Sequence, residues 1–104
     1  MPKGYWIAFY RSIRNPAALT EYGKLAVPAI HAGGGRFIAR GMPGRVYEAG
    51  LEQRAVVIEF DSLAQAVATF EGADYQAAAR LLEGAAERDI RFMEGVPEPS
   101  AQPG

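Results

Sequence analysis

The chain holds a single histidine, His31, and imidazole is the side chain whose ordinary pKa falls closest to neutral pH. Placed at the end of a helix just before Gly33-Gly34-Gly35, it can serve as a general acid or base at the mouth of a cleft. The alternative is a surface position where its cation meets the negative end of the helix dipole. Glu59 closes an apolar run, an unusual position for a carboxylate. Buried without a full partner, its pKa would rise and make it a second proton-transfer candidate. Arg40 can hold a carboxylate ligand in a bidentate clamp, or it can pair with Glu59 as a structural ion pair that relieves the cost of burying a guanidinium. Tyr10 and Tyr75 can point hydroxyls into the same cleft, or pack as amphipathic rings at element ends. The expectation is therefore a site with His31 and Glu59 in catalytic roles and Tyr10, Arg40 and Tyr75 binding substrate. Trp6 reads as core or interface.

Other chemistries lack their residues. The sequence has no cysteine, which removes disulfides, thiolate metal sites and a thiol nucleophile. With one histidine and no paired ligand spacing, neither a metal nor a cofactor is expected. The three glycines follow a helix and precede a strand, whereas a phosphate loop runs from strand to helix N-terminus. No Gly-x-Ser-x-Gly elbow is present.

Across 104 residues the formal net charge is −1, and the arginines are scattered. Nucleic acid is not an expected partner, because that binding draws on clustered cations. Hydrophobic residues at 49% and charged residues at 22% match an ordinary globular domain with one core. No run approaches the roughly 20 apolar residues of a membrane span. Met1-Pro2-Lys3-Gly4 enters an aromatic run without a secretory pattern, so the expected location is cytoplasmic.

The elements that must position these side chains follow from periodicity. Tyr5 to Tyr10 reads as a central first strand, rich in β-preferring residues with both faces apolar. Asn15-Pro16 starts a helix by capping and by a proline at its first position; Leu19, Tyr22, Ala26, Ala29 and Ile30 form its sheet-facing stripe. Pro28 is expected to interrupt it and the glycines to end it. Arg36 to Arg40 reads as strand two, with Phe37 and Ala39 on one face and Arg36, Ile38 and Arg40 on the other. Arg45 to Glu48 is a candidate edge extension. Arg54 to Phe60 is a buried strand. Ser62 to Gln65 matches a capping box, opening a helix to Phe70 that restarts after Gly72 with Asp74 as cap for Tyr75 through Leu82. Glu87 to Val96 is the last strand, and the tail of residues 97–104 is expected to fray. This β-α-β-β-α-β order is that of the α+β, split-βαβ or ferredoxin-like fold, a four-stranded antiparallel sheet with helices on one face. The bare second face carries apolar residues, and two such faces packed together in a homodimer would cover it.

Five stretches carry a resemblance to a known family: Lys3 to Ala8, Gly34 to Gly41, Val56 to Ser62, Tyr75 to Ala78 and Glu94 to Val96. In this order they resemble the bacterial family of domain of unknown function 1330, within the dimeric α/β-barrel superfamily. Thr69 to Tyr75 departs from the family's usual Trp-Tyr-Asp-Ser-Pro-Glu-Tyr run. The resemblance implies a dimeric barrel, and length and pattern lead to the expectation of a single domain over residues 1–96. Relatives by fold include cofactor-independent monooxygenases and isomerases, so the expected function is a small-molecule-binding protein or a cofactor-independent enzyme. The alternative is a non-enzymatic interaction dimer.

Overall fold

The computed structural model describes residues 2–97; the tail expected at 97–104 lies outside the described residues apart from Pro97. Strand β1 (Gly4–Ile13) is followed by helix α1 (Pro16–Ala32), strands β2 (Arg36–Gly41) and β3 (Ala55–Phe60), helices α2 (Leu63–Glu71) and α3 (Ala73–Ala79), a 3-10 turn (Arg80–Leu82) and strand β4 (Ala86–Glu94). The sheet order is β2-β3-β1-β4, and every neighbouring pair is antiparallel. This is the ferredoxin-like α+β fold. β1 is central, as its two apolar faces require, and it pairs with β3 and β4.

Alternation then divides the sheet. Trp6, Ala8 and Tyr10 of β1 and Val56, Ile58 and Phe60 of β3 turn toward the helices and are buried. Trp6 anchors this side, its ring 4.6 Å from Tyr75, 5.2 Å from Phe70 and 5.5 Å from Phe92. Burying each large apolar side chain contributes about 1.5–3 kcal/mol. Gly35 lets β2 begin close against the core: a Cβ there would lie 2.6 Å from Ile30 Cγ2 and 2.7 Å from Phe60 Cζ. Phe9, Ile38 and Met93 remain exposed.

Asn15 caps α1, its side chain accepting from Ala18 N at 3.2 Å. The helix runs unbroken past Pro28, contrary to the expected interruption. Pro28 and Lys24 both face solvent, where water can serve the carbonyl that the proline leaves unbonded. The capping box at Ser62 forms by half: Ser62 Oγ accepts from Gln65 N at 3.1 Å, but Gln65 Nε2 donates 2.7 Å across to Gly33 O and ties α2 to the end of α1. Gly72, not Asp74, is the N-cap of α3; Asp74 sits in its first turn, where a carboxylate meets the positive helix end. Arg45 to Glu48 is not a strand. Glu48 has φ of 52°, and Gly50 N donates to Tyr47 O at 2.9 Å, so this stretch turns back before a strand can pair.

The largest departure is in β2. Phe37 pairs with Ile58 but Ala39 pairs with Val57, so Ile38 is the extra residue of a β-bulge. One inserted residue reverses the facing of everything after it. Arg40, opposite Val56, therefore joins Phe37 on the helix side and is separated from Arg36.

Candidate functional site

Between α1 and the sheet lies a cavity of about 80 Å³ with Trp6, Ala8, Val56 and Ile58 on its sheet side and Tyr22, Ala26 and Ile30 on its helix side. Its polar groups come from a row at one end of the sheet. Tyr10 N donates to Arg54 O at 2.9 Å, and Tyr10 pairs with Arg88 on the other side. Arg54, immediately before β3, thus stands beside Tyr10 of β1 and Arg88 of β4, neighbours roughly 4.8 Å apart. Each is in phase with buried neighbours on the helix side. The bulge adds Arg40, whose guanidinium lies 4.5 Å above the Phe37 ring, a cation–π contact.

Arg40, Arg54 and Arg88 all line the cavity, and no Asp or Glu does. None of the ion pairs among the described residues involves any of the three. Arg88 Nη1 instead donates to the hydroxyls of Tyr22 at 3.3 Å and Tyr75 at 3.1 Å, which are themselves 2.7 Å apart. Arg54 Nε and Trp6 Nε1 are buried without a hydrogen-bond partner. Burial, and then the neighbouring Tyr75 oxygen, pushes the Tyr22 hydroxyl well above the usual tyrosine range. Burial also raises Tyr10, with the Arg88 charge acting against it. For Arg88 burial favours the neutral form, but the Tyr75 and Tyr22 oxygens outweigh it and its pKa rises. The cavity therefore offers hydrogen-bond donors and positive charge at every ordinary pH.

The five residues expected from the sequence do not share one cleft. Tyr10 and Arg40 line the cavity, and Tyr75 reaches it from α3 through its bond to Tyr22. His31 is exposed in the last turn of α1, its ring edge-on to Phe37 at 5.6 Å, and does not line the cavity. Glu59 lies on the opposite face of the sheet. It pairs with Arg36, not Arg40: Arg36 Nε and Nη2 both donate to Glu59 Oε1 at 3.2 Å, and Tyr5 OH donates to Oε2 at 2.9 Å. The bulge removes Arg40 from that face. The Tyr5 hydroxyl, and after it Arg36, hold Glu59 below the usual carboxylate range against the opposing effect of its surroundings. Among the described residues no three His, Asp or Glu side chains gather as metal ligands.

Tyr22, Arg54 and Arg88 were not singled out by type or motif. A weaker signal marks them: Arg54 is in phase with Val56, Ile58 and Phe60, Arg88 with Ile90 and Phe92, and Tyr22 lies in the apolar stripe of α1. Each places a polar atom on a buried face, Arg54 and Arg88 near strand ends and Tyr22 within the helix.

The model of the family described as Domain of unknown function (DUF1330) matches residues 3–96. The chain belongs to this family. Among curated proteins no sequence relative of this DUF1330 chain matches. Solved structures share its fold. RPA0582, a protein of unknown function from Rhodopseudomonas palustris, superposes with a TM-score of 0.67 at 14% identity, over 93% of this chain and 85% of that one. A dimeric ferredoxin-like protein of unknown function from Thermobifida fusca gives 0.63 at 19% identity, over 89% and 91%. SnoaB, a cofactor-independent oxygenase from Streptomyces nogalater, gives 0.60 at 9% identity, over 95% and 98%. Among the described residues no helix is long and apolar enough to cross a membrane.

Proposed function

We propose that the protein binds a small organic acid in the cavity beneath α1. The carrying observation is a lining that holds three guanidiniums and no carboxylate. An unpaired guanidinium under a helix is unfavourable for folding, and a carboxylate ligand supplies the missing partner in charge and in bidentate geometry. Size limits the ligand. At about 80 Å³ the cavity is smaller than the ~150 Å³ that holds benzene in an engineered protein interior. The ligand is a short acid, or a single ring whose entry moves the exposed Arg40 off Phe37. Binding is preferred to proton-transfer catalysis because the candidate acid–base groups, His31 and Glu59, stand outside the cavity. The likeness to SnoaB is one of fold, and oxygenation without a cofactor is the rival enzymatic reading.

In this proposal the molecule acts as a homodimer, paired through the open sheet faces. Exposed Phe9, Ile38 and Met93 support that reading, as do dimeric ferredoxin-like proteins of the same fold. The absence of cysteine suits a reducing compartment, and the proposal places the protein in the bacterial cytoplasm.

The test is a thermal-shift panel of short alkanoic acids and benzoic acid, each beside its neutral amide. A ligand that binds only the folded state stabilises it by about 2.7 kcal/mol at a hundredfold excess over Kd. At least one acid is expected to raise Tm while its amide does not. Equal shifts for acids and amides, or none, would reject the proposal.

A further inference from the structure

The Tyr22 and Tyr75 hydroxyls bring two protons to their corner of the cavity, and the 2.7 Å bond between them uses one. Arg88 donates to both oxygens, so it cannot take the second. Among the described residues no acceptor meets that second proton. On Tyr75, which is 1% exposed, it would be sealed in the core with the full penalty of an unmade hydrogen bond. The favourable arrangement has Tyr75 donating to Tyr22. Tyr22, which lines the cavity, then keeps its own proton to give, beside the remaining guanidinium N–H groups of Arg88.

This corner has donors to spare, while the Tyr22 oxygen already accepts from Tyr75 and Arg88. An incoming hydroxyl would bring a proton with little to receive it. A carbonyl oxygen only accepts. We infer that the ligand is an oxo acid, its carboxylate on Arg40 and Arg54 and its carbonyl oxygen on Tyr22 and Arg88. This rests on the acid-binding reading above and adds a second, uncharged recognition point across the Arg54-Tyr10-Arg88 row.

Isothermal titration with 2-oxobutanoate and 4-oxopentanoate, against butanoate, pentanoate and 2-hydroxybutanoate, tests it. At least one oxo acid is expected to bind about tenfold more tightly than its plain counterpart, the order gained from a hydrogen bond to a charge-polarised donor. The hydroxy acid is expected to gain less. Tyr22→Phe, which keeps the ring and its packing, should bring the ratio close to one while plain-acid affinity persists. Arg40→Gln should weaken oxo and plain acids together and leave the ratio. Equal binding of oxo and plain acids, or a ratio that survives Tyr22→Phe, overturns the inference and leaves the acid site standing. If no acid of either kind binds, the cavity reading falls and the inference with it.

Discussion

On the open face of the sheet Arg36 is held by Glu59 and Asp61, and Arg91 and Arg11 by Asp89. On the helix-covered face Arg40, Arg54 and Arg88 meet no carboxylate among the described residues. The difference runs against solvation for Arg54 and Arg88, which are partly buried yet unpaired, while the exposed Arg36, Arg11 and Arg91 are paired; Arg40 is exposed at the cavity's edge. Exposed pairs of this kind add little to stability, whereas a guanidinium enclosed without an acid works against it. A local rule broken at one place, with the rest of the core well packed, is what a binding site leaves behind. In the proposed reading the open face serves as structure and interface, and the covered face as both core and site.

The contrast is broken most strongly through the core. Phe60→Ala, at a fully buried position on the covered side, is expected to cost about 3–5 kcal/mol by urea denaturation. Phe9→Ala on the open side should cost under ~1 kcal/mol in the isolated subunit. Similar losses would mean that the two faces are not distinct. Next comes association. Phe9→Asp is expected to weaken the homodimer roughly a hundredfold or more, because a lone carboxylate in a desolvated interface is poorly tolerated. Sedimentation equilibrium measures this, and a monomeric wild type would remove the interface assignment.

A smaller effect separates the two sets of arginines. Arg54→Met is expected to lower acid affinity about tenfold with folded stability unchanged or raised by about 1 kcal/mol. Arg36→Met should leave acid affinity as it was. Marked destabilisation by Arg54→Met would make it a structural cation.

The smallest effect is the acid limb of stability. Tyr5 and Arg36 depress Glu59, Lys3 and Arg36 depress Asp61, and Arg91 depresses Asp89. These carboxylates bind protons less readily folded than unfolded, so unfolding takes up protons. Their contribution is complete above the unfolded pKa and is lost as pH falls from about 5 through the depressed folded values. Tm of Glu59→Gln is expected to decline less steeply than wild type over that range. An identical slope would show that Glu59 carries none of this linkage.

What the chain determines alone is its periodicity. β-preferring residues in Tyr5 to Tyr10, the continuous apolar run within Arg54 to Phe60, Asn15-Pro16 before an apolar stripe, and glycines at the helix end encode local geometry, and so the four strands, their order along the chain and the α+β fold were legible. The family resemblance was carried by short stretches spread from Lys3 to Val96. The site was legible only in part, because it depends on register between segments far apart in sequence. Ile38 carries no mark of a bulge; the mismatch arises when β2 pairs with β3, and it alone moves Arg40 from Glu59's face to the cavity. Tyr22, Tyr75 and Arg88 lie on α1, α3 and β4, and nothing local brings their polar atoms together. Tertiary packing decided that Arg40, Arg54 and Arg88 would share a cavity without an acid, since which charges end up as neighbours is a property of the assembled sheet and helices.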